Sequence, residues 1–297
     1  MKIDPSQALI DPPVDVRMPA RRTLPVVLAS PHSGAVYPAQ FLEASRLDKH
    51  AIRKSEDSFV DEIFAPAADR GAPLLRALFP RAYCDVNREP YELDPKMFAD
   101  RLPAHANTSS LRVAGGLGTI ARVVSSGEDI YHSKLSWSEA ERRIRRYYRP
   151  YHDALSSLVE ETVGLFGVCV ILDCHSMPSQ ALPMERRRAQ ERPDIVLGDR
   201  FGTSCARALS DLAHEFLEAR GYAVGRNAPY AGGFCTTHYG RPGSGLHALQ
   251  IEINRAIYMD ESRYSRLPRL NALAADMADL VEALGRTESW SLPAAAE

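Results

Sequence analysis

The sequence predicts an α/β protein, a three-layer α/β/α sandwich with a mixed central sheet. Apolar runs of strand length alternate along the chain with segments whose apolar residues recur at helical spacing. Two of these runs, LPVVLAS from Leu24 and GVCVILDC from Gly167, are apolar almost throughout, which is typical of strands buried on both faces of a sheet. The composition, 45% hydrophobic and 25% charged over 297 residues, is that of an ordinary globular protein.

The predicted elements follow in chain order. Strands are expected from Leu24, over one or two segments after Pro73, at 167–178, in PDIVLGD (193–199), in YAVGRN (222–227) and in HALQIEIN (247–254). Helices are expected over 55–70, over 137–163 with a kink before Pro150, over 203–220 and over 262–284. Residues 90–130 are expected to be irregular, with short strands near 119–124. We expect residues 1–23 to form an extended arm and residues 24–297 to form a single α/β domain.

Charge and cysteine content exclude several classes of protein. The 36 basic and 38 acidic side chains give a formal net charge of -2. The chain therefore lacks the net positive charge that favours binding to nucleic acid or to an anionic membrane. The arginines at 186–188 lack interleaved aromatic residues and are interpreted as a charged loop. The sequence has no apolar run of membrane-spanning length and no signal-peptide pattern, which predicts a cytoplasmic protein. The five cysteines lack C-x-x-C spacing and are predicted to be reduced. Cys84, Cys169 and Cys174 lie in apolar, strand-like runs and are predicted to be small buried side chains.

Polar side chains cluster where three predicted strands end. His32 lies in PHSG, His175 in DCHS, and Glu252 in EINR. In open α/β sheets such positions meet in the crevice beyond the carboxyl ends of the strands. Two imidazoles and one carboxylate are a common ligand set for catalytic zinc, and SEDSF (55–59) could supply the carboxylate. The pattern leaves open the alternative that each histidine is an ordinary hydrogen-bonded loop residue.

Two carboxylates near these histidines are candidates for supporting roles. Asp173 precedes His175 by two residues, so both side chains lie on the same face of an extended chain and the aspartate can orient the imidazole. A buried aspartate that is satisfied by backbone donors is the alternative for Asp173. Glu252 stands inside the apolar run LQIEIN, where a carboxylate must be paired, metal-bound or held at an unusual pKa. Glu252 is therefore a candidate general base.

Asn87, Arg88 and Arg255 lie beside the same clusters in the sequence. The planar guanidinium of arginine binds carboxylates through two parallel hydrogen bonds. Such arginines would suit a small acidic substrate, for example an amino-acid derivative. No phosphate-binding glycine motif and no G-x-S-x-G motif is present, which argues against nucleotide binding and against a serine hydrolase.

Eight motifs in the same order resemble the N-formylglutamate amidohydrolase family. They are SPHSGAVYP (30–38), SEDSFVDEIF (55–64), CDVNREP (84–90), GLGTIARVVSSGEDIY (116–131), YYRPYH (147–152), LDCHSMP (172–178), APYAGGFCTTHYGRP (228–242) and HALQIEINRAIYMDE (247–261). The family is similar in fold to the zinc carboxypeptidases and the succinylglutamate desuccinylases. The resemblance implies hydrolysis of the formyl amide of N-formyl-L-glutamate to formate and L-glutamate, a late step in one route of histidine degradation.

The resemblance also implies roles for individual residues. It places one zinc ion on His32 and His175, makes Glu252 the acid/base, and brings Asn87, Arg88 and Arg255 near the substrate carboxylates.

Two further assignments follow from the same resemblance. Zinc carboxypeptidases carry the acidic ligand three residues after the first histidine, but Ala35 occupies that position here. We therefore assign Asp57 as the third ligand, in preference to Glu56, because it matches the aspartate of the family motif. Relatives also use an arginine to stabilise the oxyanion, and Arg122 is the best match, with Arg88 as the alternative.

Two other functions fit part of the pattern. The same zinc chemistry could act on another N-acyl amino acid or a small amide, since the motifs report the catalytic groups better than the acyl pocket. A non-catalytic metal-binding or ligand-binding protein is a second alternative. The presence of Glu252 together with both histidines argues against it.

Overall fold

The structure is a computed structural model that describes residues 10–180 and 192–287. Residues 1–9 of the expected arm, the predicted charged loop at 186–188 and the end of the chain from 288 lie outside the described residues. The strands are β1 (Val14–Arg17), β2 (Val26–Ser30), β3 (Leu74–Ala77), β4 (Cys169–Met177), β5 (Ile195–Gly198), β6 (Val224–Arg226), β7 (Leu246–Asn254), β8 (Met259–Asp260) and β9 (Ser265–Arg266). The helices are α1 (Ala39–Ala44), α2 (Val60–Asp69), α3 (Leu111–Ala114), α4 (Trp137–Arg143), α5 (Arg149–Phe166), α6 (Arg207–Ala219), α7 (Phe234–Tyr239) and α8 (Arg269–Arg286).

Seven strands form one mixed sheet in the order β1-β3-β2-β4-β7-β5-β6. The central strands β2, β4 and β7 run parallel, whereas β5 pairs antiparallel with β7. Strands β8 and β9 form a separate antiparallel pair. The predicted α/β fold with a mixed central sheet is confirmed. Among the described residues, no helix is long and apolar enough to cross a membrane.

The central strands form because their sequences are rich in β-branched residues and can be buried on both faces. Every residue of β2 and of β4 is buried. One face of the sheet carries Leu28, Leu172 and Ile251, which pack in a core with residues of α2, α6 and α8. The long helix α8 fits this core because its apolar residues recur every three or four positions, as in Leu273, Met277, Leu280 and Leu284.

The described chain divides into two compact units. The single domain expected from residue 24 stays a prediction. The first unit contains the segment that ends at Asp15, together with Pro31–Asp57 and Arg76–Ala154. The second unit contains Val16–Ser30, Ser58–Leu75 and the chain from Leu155 onward, and so holds most of the sheet.

Several local predictions differ from the structure. The expected arm contains the strand β1 in its described part, because VDVR alternates in the way a sheet strand does. After β3 the chain forms turns, so Cys84 does not lie in a strand. The short strands predicted near 119–124 reduce to one isolated bridge between Val123 and Asp129. The predicted helix 137–163 is present and contains a π-helical turn at Ile144–Tyr148, just before Pro150, where a kink is expected.

Candidate active site

His32 lies two residues beyond the end of β2, within the first unit. Its side chain is 2% exposed and contacts two aspartates. The ring nitrogen Nε2 lies 2.7 Å from Asp85 Oδ1, and Nδ1 lies 3.4 Å from Asp57 Oδ2. The backbone N–H of Asp57 also donates to the carbonyl of His32 at 3.0 Å. This backbone bond holds the segment before α2 against the loop after β2, which explains why residues 25 positions apart in the chain meet here.

Asp85 is a buried carboxylate whose two oxygens have different partners. Oδ1 accepts from the backbone N–H of Asn87 at 2.9 Å and lies against His32. Oδ2 accepts from Arg81 Nη2 at 2.7 Å and lies 3.6 Å from Arg88 Nη2. Burial by itself would raise the pKa of the Asp85 carboxyl, but the charges of Arg81 and Arg88 hold it well below its usual range. Asp85 is therefore ionised at neutral pH.

The second unit contributes a polar group on neighbouring strands. Strands β4 and β7 pair in register, so that Asp173 lies beside Gln250 and His175 beside Glu252. Because side chains alternate along a strand, these four residues share one face of the sheet. His175 lies inside β4, not beyond its end as the sequence predicts, since the strand continues to Met177.

Specific contacts orient this second group. Asp173 is fully buried, and its Oδ1 lies 2.9 Å from His175 Nε2. Gln250 Nε2 donates to Glu252 Oε1 at 2.9 Å, which fixes one oxygen of the predicted base. The carboxylate on Nε2 makes Nδ1 the ring nitrogen through which His175 would bind a metal, as it does for His32.

His32, Asp57 and His175 form a group that could hold a metal ion. Each offers one ligand atom, these atoms lie within 4.8 Å of one another, and all three residues are buried. The donor set fits a catalytic zinc ion, which takes imidazole and carboxylate ligands and keeps a further position for water. Aspartates on the other ring nitrogens fit as well, because metal-binding histidines usually donate that N–H to a carboxylate.

Glu56, the alternative acidic ligand, has other partners. Its two oxygens accept from the guanidinium of Arg53 at 2.8 and 3.0 Å, and Oε2 also accepts from the Tyr37 hydroxyl at 3.1 Å. This network holds Glu56 in an ion pair, whereas Asp57 Oδ2 lies against His32. The geometry thus favours Asp57 over Glu56.

Of the predicted substrate-binding residues, Asn87 and Arg255 are buried and Arg88 is largely buried, with 12% of its side chain exposed. In the first unit, Arg88 donates to the backbone carbonyls of Leu117 and Asn87, each at 2.8 Å, and burial lowers the pKa of its guanidinium to about 10. Asn87 is 2% exposed. In the second unit, Arg255 is 5% exposed, and its Nε donates to Ser176 Oγ at 3.1 Å. Burying guanidinium groups is costly unless they bind an anion or another acceptor, which is consistent with a binding role.

Arg122, the predicted oxyanion partner, lies in a different environment. Its Nε donates to Asp94 Oδ2 at 2.9 Å and its Nη1 to Asp129 Oδ1 at 2.7 Å. It also lines a cavity whose lining contains no other predicted site residue. Two carboxylates pair with this guanidinium, and Nη2 is the nitrogen that neither of them contacts through a hydrogen bond.

All five cysteines are buried, and none of them forms a disulfide bond. Burial raises the pKa of Cys169 and Cys205 to about 12, and it raises the pKa of Cys84 and Cys174 as well. A thiol with a raised pKa is a poor nucleophile. These four cysteines therefore act as small apolar side chains, as the sequence predicts for Cys84, Cys169 and Cys174.

Comparisons with known proteins show the family of this chain. The sequence matches the N-formylglutamate amidohydrolase family over residues 24–259. This chain belongs to that family. The family consists of hydrolases that act on an amide bond, so the protein is an enzyme.

Individual relatives extend over most of the chain. The solved N-formylglutamate amidohydrolase from Ralstonia eutropha JMP134 is 38% identical, with a TM-score of 0.85, and the match covers 91% of this chain and 95% of that one. The N-formylglutamate deformylase of Pseudomonas putida is 28% identical, over 80% of this chain and 83% of its own length. That of Pseudomonas aeruginosa is 27% identical, over 89% of each chain.

Sequence reasoning missed three residues near the site. Asp85 and Arg81 precede Asn87 and Arg88 in the loop after β3, and Gln250 precedes Glu252 by two residues in β7. The period of two in a strand could have placed Gln250 on the face of Glu252. Nothing in the sequence alone connects Asp85 to His32, since 53 residues separate them.

Gly34 is expected to be essential for the position of the loop that carries His32. A Cβ atom on Gly34 would lie 2.1 Å from the carbonyl oxygen of Phe79 and 2.6 Å from the backbone carbonyl carbon of Leu78. Because these atoms are backbone, the loop itself must move, so Gly34→Ala should lower the free energy of unfolding by about 1–3 kcal/mol. Denaturant titration measures this change, and metal titration reports any displacement of His32.

Gly164 provides the control for that substitution. It lies inside α5, and a Cβ atom there would meet nothing within 4 Å. Gly164→Ala should stabilise the protein by about 0.5–1 kcal/mol, since glycine disfavours a helix interior. Equal stability of the two variants would show that the Gly34 contact is not the constraint we describe.

Proposed function

We propose that this enzyme hydrolyses the formyl amide of N-formyl-L-glutamate to formate and L-glutamate, with one zinc ion held by His32, Asp57 and His175. The single observation that carries the proposal is this buried His-Asp-His group in a chain of the amidohydrolase family. The relatives named above as N-formylglutamate deformylases support the choice of substrate.

The ligands are held by groups of the chain itself. Asp85 lies 2.7 Å from Nε2 of His32 and Asp173 lies 2.9 Å from Nε2 of His175, which would leave Nδ1 of each ring for the metal. When bound, a zinc ion would polarise the formyl carbonyl and lower the pKa of a coordinated water from 15.7 to roughly 7. Asp57 would add a negative charge and fix the third direction of coordination.

Glu252 would move the proton. It is 8% exposed and lies beside His175 on the neighbouring strand. Its carboxylate would take a proton from the attacking water and deliver one to the departing amine. The hydrogen bond from Gln250 holds one carboxylate oxygen in place during both transfers.

The arginines would select an acidic substrate. N-Formylglutamate carries two carboxylates, and a desolvated carboxylate needs a charge-assisted partner. We assign these partners to Arg88 and Arg255, with Asn87 beside them. Arg122 stays our proposed oxyanion partner through Nη2, and Arg88 is the alternative.

Replacing either substrate arginine by lysine should impair the reaction selectively. Arg88→Lys and Arg255→Lys should each cost about 2–5 kcal/mol of transition-state binding, roughly thirty- to several-thousand-fold in kcat/KM, because an ammonium cannot reproduce the guanidinium fork. The assay compares N-formylglutamate, N-formylglutamine and an uncharged N-formyl amino acid. The uncharged substrate should be poor for the wild type and little affected by either variant.

The same assay separates the proposed function from its nearest alternative. N-Acetylglutamate and N-succinylglutamate test the acyl group, while the uncharged amino acid tests the arginines. If another N-acyl amino acid were hydrolysed faster, it would replace N-formylglutamate as the proposed substrate, and the proposed metal site would be unaffected. Metal binding without hydrolysis of any substrate would favour a binding protein.

A further inference from the structure

We infer that Asp85 is a positioning residue that couples the metal ligand His32 to the substrate arginine Arg88. This inference rests on the proposed function, because it assumes a metal at His32 and a substrate carboxylate at Arg88. It gives a role to Asp85, a residue of the motif CDVNREP to which the sequence analysis assigns none. All the residues that carry it belong to the first unit.

The two carboxylate oxygens of Asp85 face different residues. Oδ1 faces His32 Nε2 at 2.7 Å, and Oδ2 faces Arg81 Nη2 at 2.7 Å and Arg88 Nη2 at 3.6 Å. The Asp85 side chain is 4% exposed, so water competes little for either oxygen. The backbone N–H of Asn87 fixes the plane of the group through a further bond to Oδ1. Rotating the Asp85 carboxylate to shorten the contacts of one oxygen would therefore break the contacts of the other.

The His32 side determines which ring nitrogen can bind a metal. An ionised carboxylate only accepts hydrogen bonds, so it requires the proton of a neutral His32 ring to be on Nε2. The lone pair is then on Nδ1, the nitrogen that faces Asp57. Asp85 therefore selects the tautomer that the proposed metal site needs.

The arginine side determines the direction of Arg88. Its other bonds go to the neutral carbonyls of Leu117 and Asn87. Asp85 is thus the carboxylate in contact with this guanidinium, and at 3.6 Å it orients Arg88 without fully neutralising it. Arg81 forms the closer ion pair with Asp85, so Arg88 retains charge for a substrate carboxylate.

The variant Asp85→Asn tests both sides at once. A side-chain amide has one acceptor end and one donor end, whereas Asp85 needs two acceptors. With the carbonyl toward His32, the NH₂ group faces the donors of Arg81 and Arg88. With the amide reversed, the NH₂ group donates to Nε2 and moves the ring proton to Nδ1, which then cannot bind a metal. Either orientation loses one of the two functions.

The first measurement uses the metal-free protein and no substrate. Competition with a chromophoric chelator should show zinc binding weakened by roughly 10- to 100-fold in Asp85→Asn. The control is Asp94→Asn, which removes another buried aspartate of the same unit that pairs with an arginine, Arg122, and not with His32. Zinc affinity in the control should stay within about threefold of the wild type. Thermal unfolding without metal shows whether each variant is folded at the assay temperature.

The second measurement uses the zinc-loaded enzyme. Asp85→Asn should raise KM for N-formylglutamate more than KM for an uncharged N-formyl amino acid, because Arg88 loses its direction. Arg81→Ala leaves the contact between Asp85 and His32 in place, so zinc affinity should stay within about threefold of the wild type. KM for the acidic substrate should rise, because Asp85 would then neutralise Arg88 more fully.

Wild-type zinc affinity in folded Asp85→Asn would overturn the inference and leave the proposed function intact. Absence of zinc binding in the wild type would overturn the proposed function, and this inference with it. If Asp85→Asn does not fold, Asp85→Glu replaces it. That variant shifts the carboxylate by one methylene group and should also bind zinc more weakly, so wild-type affinity there would count against the inference.

Discussion

Replacement of His32 or His175 by alanine is expected to remove the metal ion and abolish hydrolysis. Each histidine supplies one of three buried ligand atoms, and the two that remain cannot hold zinc against solvent. Metal content after dialysis should fall from one equivalent to near zero in both variants. Zinc should also stop raising the melting temperature, because a ligand stabilises only the state that binds it.

Two control variants make this result specific. His214→Ala removes a histidine of α6 that pairs with Glu218, so its metal content should be unchanged. Asp57→Asn and Glu56→Gln form a matched pair of adjacent carboxylates. Only Asp57→Asn should lose metal, because Glu56 is held by Arg53. Full metal occupancy in both histidine variants would contradict the proposed site.

The fold was predictable where a whole strand or helix is buried in the usual way. The apolar runs that become β2 and β4, and the helical spacing of α8, each indicate their structure within a short window of sequence. The edge strand β1 was not predictable in the same way. Its four residues follow two prolines, and only pairing within the sheet makes them a strand.

The site was predictable to the extent that its residues follow strands or stand within them. His32 and Glu252 were found because a polar side chain beside a buried strand is unusual and needs a partner. Asp85 was missed because its partner His32 is brought to it by tertiary structure and lies 53 residues away. No local pattern reports a contact at that separation.

The choice between Asp57 and Glu56 shows the same limit. Both carboxylates are adjacent in the sequence and both are buried, so composition and spacing treat them alike. What separates them is the direction of each side chain, since Glu56 faces Arg53 and Asp57 faces His32. For Arg122 the sequence does point to one residue, because an arginine in a family motif is a suitable oxyanion partner. The structure, however, pairs its guanidinium with Asp94 and Asp129.

Glu252→Gln is expected to reduce kcat by several orders of magnitude while zinc and substrate still bind. Glutamine keeps the size of the side chain, and its carbonyl oxygen can still accept the hydrogen bond from Gln250. It cannot accept a proton from water, however, so the attacking nucleophile is not generated and the amine is not protonated. A loss confined to kcat, with KM nearly constant, indicates an interaction made in the transition state.

A second variant distinguishes a lost base from a disturbed strand. Gln250→Ala removes the donor to Glu252 Oε1 and keeps the carboxylate. This variant should therefore lose kcat only moderately, whereas Glu252→Gln should lose nearly all of it. If Glu252→Gln kept near-normal kcat, another group would be the base, and Glu252 would be a buried carboxylate with a structural role in β7.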